Sequence, residues 1–169
     1  IREVTYNTLA KRDRKARHLA AARWFESLGE PELAGALAGH YLAARANAGE
    51  GAEADALATQ ARISLKAAAD RAASLGAYRQ ALSFLRQAIE VTADADEVAD
   101  LHRRAGQAAS IVADFEGAEA HLIAALEHQR ATGDRAAIAA VTAALGSSLI
   151  SGRRADQALA LLEAAATEF

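Results

Sequence analysis

Five histidines, His18, His40, His102, His121 and His128, are the side chains of this sequence best suited to hold a metal or to move a proton near neutral pH. Their spacing argues against most of that chemistry. His121 and His128 stand seven residues apart, so on a helix they share a face about 10 Å from one another. One ion cannot bridge that distance without a ligand from a second helix. No His-Glu-x-x-His run occurs. His18 and His40 fall on adjacent predicted helices and could meet, but the expected arrangement is a set of separate surface or boundary histidines. No metal and no cofactor is expected.

Other reactive patterns are equally sparse. The chain lacks the glycine-rich phosphate loops and the Gly-x-Ser-x-Gly nucleophile turn. Ser147 and Ser148 follow Gly146 in the middle of a predicted helix, where a serine is ordinarily packed or solvated. Glu116, Glu119 and Glu127 belong on helix surfaces and form no acid–base pair. Lys11, Arg12, Arg14, Lys15 and Arg17 make the densest basic cluster. In a chain of net charge −3, with 19 basic and 22 acidic residues, such a patch yields little counterion-release affinity. It reads as a solvated helix start or a contact with an acidic neighbour. Neither an enzyme nor a nucleic-acid binder is expected.

The elements that must carry these side chains announce themselves through small residues. Three places hold the same spaced triplet: Ala69–Ala81–Ala88, Gly106–Ala118–Ala125 and Gly146–Ala158–Ala165. A bulky residue follows each middle member by four, Leu85, Leu122 and Leu162. In the first two copies an aromatic precedes it by three, Tyr78 and Phe115. Small residues at fixed positions let two helices approach closely, and their recurrence predicts a helix pair built repeatedly, as in a solenoid. Alanine supplies more than a quarter of the chain, aromatics only 5%, and there is one proline, Pro31. The fold class is therefore all-α, an antiparallel helix-pair solenoid with three clear repeats behind one divergent pair. Cysteine is absent, which excludes disulfides. No apolar run approaches the roughly 20 residues that span a membrane. No signal peptide is visible, which points to a cytoplasmic setting.

The predicted helices cover 13–28, with Asp13 as N-cap and Gly29 as stop, then 31–47, 53–75, 78–92, 97–112, 115–131, 135–151 and 155–168. Asn47–Gly51 is the clearest loop, Ala93–Asp96 and Gly133–Asp134 are connections, and Gly76 and Gly152 mark turns. The first pair imitates the triplet with Ala22, Ala34 and Tyr41. Residues 1–12 carry Ile1, Val4, Tyr6 and Leu9 as a short amphipathic piece, suited to docking upstream or to a frayed first helix. The chain opens at Ile1 and has no methionine, so it reads as a fragment of a longer protein. Domain organisation is expected as 1–50 for the divergent pair and 51–169 for the repeats, at about 62–95, 99–133 and 139–169.

These residues resemble the tetratricopeptide repeat family. Gly76-Ala-Tyr-Arg-Gln-Ala-Leu-Ser-Phe-Leu-Arg-Gln-Ala88 matches the family's turn and second helix. Ala113-Asp-Phe-Glu-Gly-Ala118 through Ala125, with Gly106 before it, matches again, as do Leu145-Gly146, Ala158 and Ala165. The closing proline of each repeat is replaced by Ala93 and Arg130, and Ala68-Ala69 stands where Leu-Gly is common. The N-terminal stretch, Glu3 to Leu9, Arg17-His18, Leu33-Ala34 and Gly39-His40-Tyr41, is similar to a part of large bacterial signalling proteins that links a regulatory ATPase to helical repeats. The resemblance implies a non-catalytic scaffold for protein contacts within such a regulator.

In that fold the first helix of each pair lines a groove. The implied groove positions are Arg23, Lys66, Asp70, Arg103, Gln107, Ser110 and Ser147, with Ile150. The partner expected is a protein or peptide, or another domain of the same chain, with no nucleic acid and no membrane. Asn7 and Asn47 lie outside the groove, so the carboxylate clamp of one subgroup is not expected. The last helix, with Leu159, Leu161, Leu162 and Phe169, lacks a polar cap and is expected to self-associate. A small-molecule sensor binding in the groove and a structural spacer are the alternative functions.

Overall fold

A computed structural model describes residues 8–168. Among them all regular structure is helical: α1 (Lys11–Leu28), a 3₁₀ turn (Pro31–Leu33), α2 (Ala34–Ala46), α3 (Ala52–Ser74), α4 (Tyr78–Val91), α5 (Ala95–Ile111), α6 (Phe115–Thr132), α7 (Arg135–Ser151) and α8 (Ala155–Glu168). The chain is all-α, as its composition requires. Ile1, Val4, Tyr6, Asn7 and Phe169, which carry the expected N-terminal docking piece and part of the C-terminal face, lie outside the described residues. Two compact units form, Ile1–Arg71 and Ala72–Phe169. The division falls inside α3.

Two predicted ends move. α1 starts at Lys11 behind Ala10, which has no side-chain cap, because the amides of both Asp13 and Arg14 already bond to the Ala10 carbonyl. Asp13 is thus not the N-cap; it sits in the first turn, where its charge suits the helix dipole. Ala95 and Asp96 leave the predicted connection and join α5, because Asp94 accepts the amide of Glu97 and caps the helix. Asp114 does the same for Gly117 on α6, and Asp134 for Ala136 and Ala137 on α7. Each such cap is worth about 1 kcal/mol.

In the first unit α1 and α2 pack on one another. Ala22, Tyr41, Ala44, Leu57 and Ala61 are buried together, flanked by Leu19, Leu37 and Leu42. Tyr41 holds the place where the later pairs have a small residue. It is tolerated because its hydroxyl donates to Glu26. Burial first, then the Glu26 carboxylate, pushes its pKa up to about 12. Lys15 Nζ pairs with Glu53 at 2.7 Å, and Arg71 with Glu32 at 2.5 Å.

In the second unit α4 to α8 each pack against the next, and α5 also touches α7. The nine small residues of the three triplets are all buried, Ala69 in the first unit and the other eight in the second. Leu85 and Leu122 are buried too, whereas Leu162 remains 42% exposed. Leu122, Ala125, Leu126, Val141, Leu145, Leu149 and Ala158 form one continuous core under α6, α7 and α8. Burying a leucine fully contributes about 1.5–3 kcal/mol, so the alanine-rich seams bring backbones close and the leucines between them supply most of the burial energy.

The turn inside each pair repeats as regularly as the triplet. Seven residues after the first small member the backbone enters the left-handed region: Gly29 (φ 63°), Gly76 (φ 74°), Ala113 (φ 61°) and Arg153 (φ 60°). In the second unit the next amide bonds back to the carbonyl five residues earlier, Ala77 to Ala72, Asp114 to Ala109 and Arg154 to Leu149. This double closure caps the carbonyls of the first helix and swings the chain into the second. Two of the four positions bear a side chain in a conformation that suits glycine.

Candidate binding face

The groove residues named from the sequence occupy three places on the first helix of each pair: three before the small residue, one after it and four after it. Helical geometry puts these on a single stripe. Gly106 and Gly146 turn toward the second helices of their pairs, so the stripes of α5 and α7 are left facing elsewhere. Every member is exposed or half-buried in the structure: Arg23, Lys66 and Asp70 in the first unit, and Arg103, Gln107, Ser110 and Ser147 in the second. Ile150, on the same stripe, is 57% exposed.

Within the second unit the stripe is built across α5 and α7. Ser110 Oγ donates to the Gly106 carbonyl at 3.0 Å and meets Ser148 Oγ at 2.9 Å, tying the two first helices together. Ser147, the predicted member, remains exposed, while its neighbour Ser148 is the buried one that makes this link. Arg103 is held along its own helix, with Nη2 on Asp100 at 2.5 Å and Nη1 on Gln107 at 3.2 Å. The face is therefore a polar surface with an internally balanced cation, beside one exposed isoleucine.

The opposite edge of this unit, at the turns, carries a repeated clamp. The residue after the left-handed position reaches back to the second helix of the preceding pair. Asp114 pairs with Arg86 at 2.9 Å, and Arg154 grips Glu119 with both guanidinium nitrogens at 2.5 and 3.1 Å. The polarity is reversed but the connection is the same. Arg86 and the Gly117 amide hold the Asp114 carboxyl below its ordinary pKa, and Glu119 raises that of Arg154. An open cleft of about 690 Å³ lies here, lined by Asp114, Phe115, Glu116, Glu119, Gly152 and Arg154.

The histidines arrange themselves in a way only half legible in the sequence. His18 and His40, expected as separate side chains, meet with their Nδ1 atoms 3.0 Å apart, and His40 stacks on Phe25. A second pair, His102 and His121, was not anticipated; it has the same Nδ1 separation of 3.0 Å. One signal could have found it. His18 and His102 both stand four residues before the small residue of a first helix, a position that faces the second helix. His128 joins neither pair and bonds Asp96. Burial lowers the pKa of His18 and His102, with His40 adding to the shift at His18. His121 is pushed down to about 4, by burial first, then by His102 and Arg86.

Among the described residues no group of three or more His, Cys, Asp or Glu side chains could hold a metal ion, and no helix is long and apolar enough to cross a membrane. Ser147, Ser148 and the histidines do not assemble into a nucleophile and base.

Comparison with known proteins adds one relation of fold. No protein-family model matches the chain. No curated protein matches it either. The crystal structure of BtubC (BKLC) from P. vanneervenii is similar, with a TM-score of 0.52 and 20% identity over 95% of this chain and 75% of that one. At that identity the likeness concerns the helical fold.

Proposed function

We propose that the chain is a non-catalytic helical-repeat module of the tetratricopeptide type that mediates protein–protein contacts, as the regulatory part of a larger bacterial signalling protein working in the cytoplasm. One observation carries the reading. Four helix pairs share a single register, in which a small residue is followed after seven by a left-handed turn and after twelve by the small residue of the second helix. A chain that repeats its packing positions and varies the stripe between them is organised to present a surface. The polar stripes, Lys66 and Asp70 on α3 in the first unit and Arg103, Gln107, Ser110 and Ser147 on α5 and α7 in the second, each suit a peptide or protein segment carrying charged and polar groups. The exposed leucines of α8, Leu159 and Leu162, supply a second, apolar contact through which copies associate.

The test uses the full chain as bait against partners from its parent organism. Arg103→Glu should abolish capture of a specific partner, while Arg79→Glu, on the turn edge, should leave it intact. Equal capture by both variants, each folded by circular dichroism, would remove the stripe from the proposal.

A further inference from the structure

The polar chain that crosses α4, α5 and α6 permits only one arrangement of protons. Arg86 Nε of α4 lies 3.3 Å from His121 Nε2 of α6, and a guanidinium can only donate. His121 Nε2 must therefore accept, which places the proton of the neutral ring on Nδ1. That Nδ1–H points at His102 Nδ1 of α5, 3.0 Å away, which must accept in turn. His102 is then the Nε2–H tautomer. At the other end Arg86 Nη2 donates to Asp114, which caps α6 through the Gly117 amide. From Arg86 to His102 Nδ1 each donor meets an acceptor only when both imidazoles are neutral. A proton added to His121 sets its Nε2–H against the Arg86 Nε–H. A proton added to His102 sets its Nδ1–H against that of His121, and a tautomer shift to relieve this brings back the clash with Arg86.

The same logic excludes a metal at this pair. An ion on His121 Nδ1 would leave the ring proton on Nε2, facing Arg86 again. The groups that act on His121 are Arg86 from α4, His102 from α5 and Asp114 from the α5–α6 turn. Only the last favours protonation. α7, which packs on both α5 and α6, has Arg135 at its first residue as its single charged side chain, at the end remote from His121.

We propose that Asp114, Arg86, His121 and His102 form an acid-sensitive latch that joins the second helix of one pair to both helices of the next, closed when the two imidazoles are neutral and opened by protonation of either. Opening parts Arg86 from His121, leaves it on Asp114, and loosens α4 against α5 and α6. The contact it releases lies beside the turn edge and behind the polar stripe of α5, so the binding face would be presented on a less rigid support in acid.

The full chain, labelled with nitrogen-15, supplies the test. Long-range proton–nitrogen spectra at neutral pH should show His121 as the Nδ1–H tautomer and His102 as the Nε2–H tautomer, with His121 still neutral near pH 5. Hydrogen exchange, corrected for intrinsic rate, should reveal protection in α4–α6 falling about tenfold as the pH drops from 6.5 toward 4. His102→Leu, which installs the residue that Leu65 provides at the same register in another pair, should flatten that response. A His121 in the Nε2–H tautomer, or one titrating near 6.5, would overturn the latch, and so would an unchanged pH response in His102→Leu. Should that variant fold poorly, the tautomers and titration of the unaltered chain decide the matter alone.

Discussion

Two glycines at the same place in successive pairs should respond to alanine with opposite signs. Gly106 and Gly146 are both buried in mid-helix and both face the second helix of their own pair. A methyl at Gly106 would stand 2.5 Å from Leu122 Cγ, 2.9 Å from its Cδ2 and 3.2 Å from the Ala118 carbonyl oxygen. Leu122 is fully buried in the core under α6, so it has no room to withdraw, and the backbone oxygen cannot yield without moving the helix. Overpacking of this kind costs about 1–3 kcal/mol, against a gain of roughly 0.8–1 kcal/mol from replacing glycine within a helix. Gly106→Ala should be destabilising by up to about 2 kcal/mol net. At Gly146 the nearest atoms belong to Leu162, at 3.5–3.7 Å, which is ordinary contact with a side chain that is 42% exposed. There the propensity gain stands unopposed, and Gly146→Ala should stabilise by about 0.5–1 kcal/mol. Urea unfolding followed by circular dichroism resolves both, and in a chain of this size 1 kcal/mol moves Tm by about 2–4 °C. A shift of the same sign in both variants would refute the claim that helix separation differs between these two pairs.

The turns and the last helix offer further checks. Ala113 sits at φ 61°, where a Cβ costs about 1–2 kcal/mol, while glycine adds roughly 0.4–1 kcal/mol of unfolded-state entropy. Ala113→Gly should therefore raise the urea midpoint by the equivalent of about 0.5 kcal/mol, and a lowered midpoint would show that the turn is not strained. Leu159 and Leu162 are 57% and 42% exposed on one side of α8. Light scattering across a concentration series should reveal association of the unaltered chain that Leu159→Glu abolishes, and a mass that stays monomeric throughout would rule this surface out as a contact.

How far the sequence speaks depends on what each position does. Packing positions were legible because close helix approach admits only glycine or alanine, and all nine triplet members are buried as expected. The helix ends were legible where glycine or a capping side chain marked them, as at Gly29 and Gly76. The left-handed turns at Ala113 and Arg153 were not, because neither residue type advertises that conformation; only counting seven from Gly106 and Gly146 would have found them. Asp13 misled because a good capping residue also suits the first turn. The stripe residues share a register on each first helix, but the pairing of Arg103 with Asp100 within α5, and the link from Ser110 to Ser148, depend on rotamers and on neighbouring helices that spacing does not encode.

The position four before each first small residue shows why this scaffold departs from a simple packed repeat. It is occupied by His18, Leu65, His102 and Thr142, and where it holds a histidine it meets the second helix of its pair. Leu65 is 1% exposed and fills the place by burial alone. A polar group there gives up water and needs a partner inside the seam. Thr142, at 3% exposure, leaves its hydroxyl without one among the described residues, and so carries the cost uncompensated. The histidines avoid that cost by acquiring a second histidine from the facing helix, His40 or His121, at the same 3.0 Å. Two pairs in separate units have reached the same solution with partners drawn from different register positions. Neutral imidazole can both donate and accept within such a seam near pH 7, and the pair keeps an acceptor as long as one of its rings is neutral. Polar occupancy of a packing position thus exchanges some of the burial energy of a leucine for a contact whose strength depends on protons.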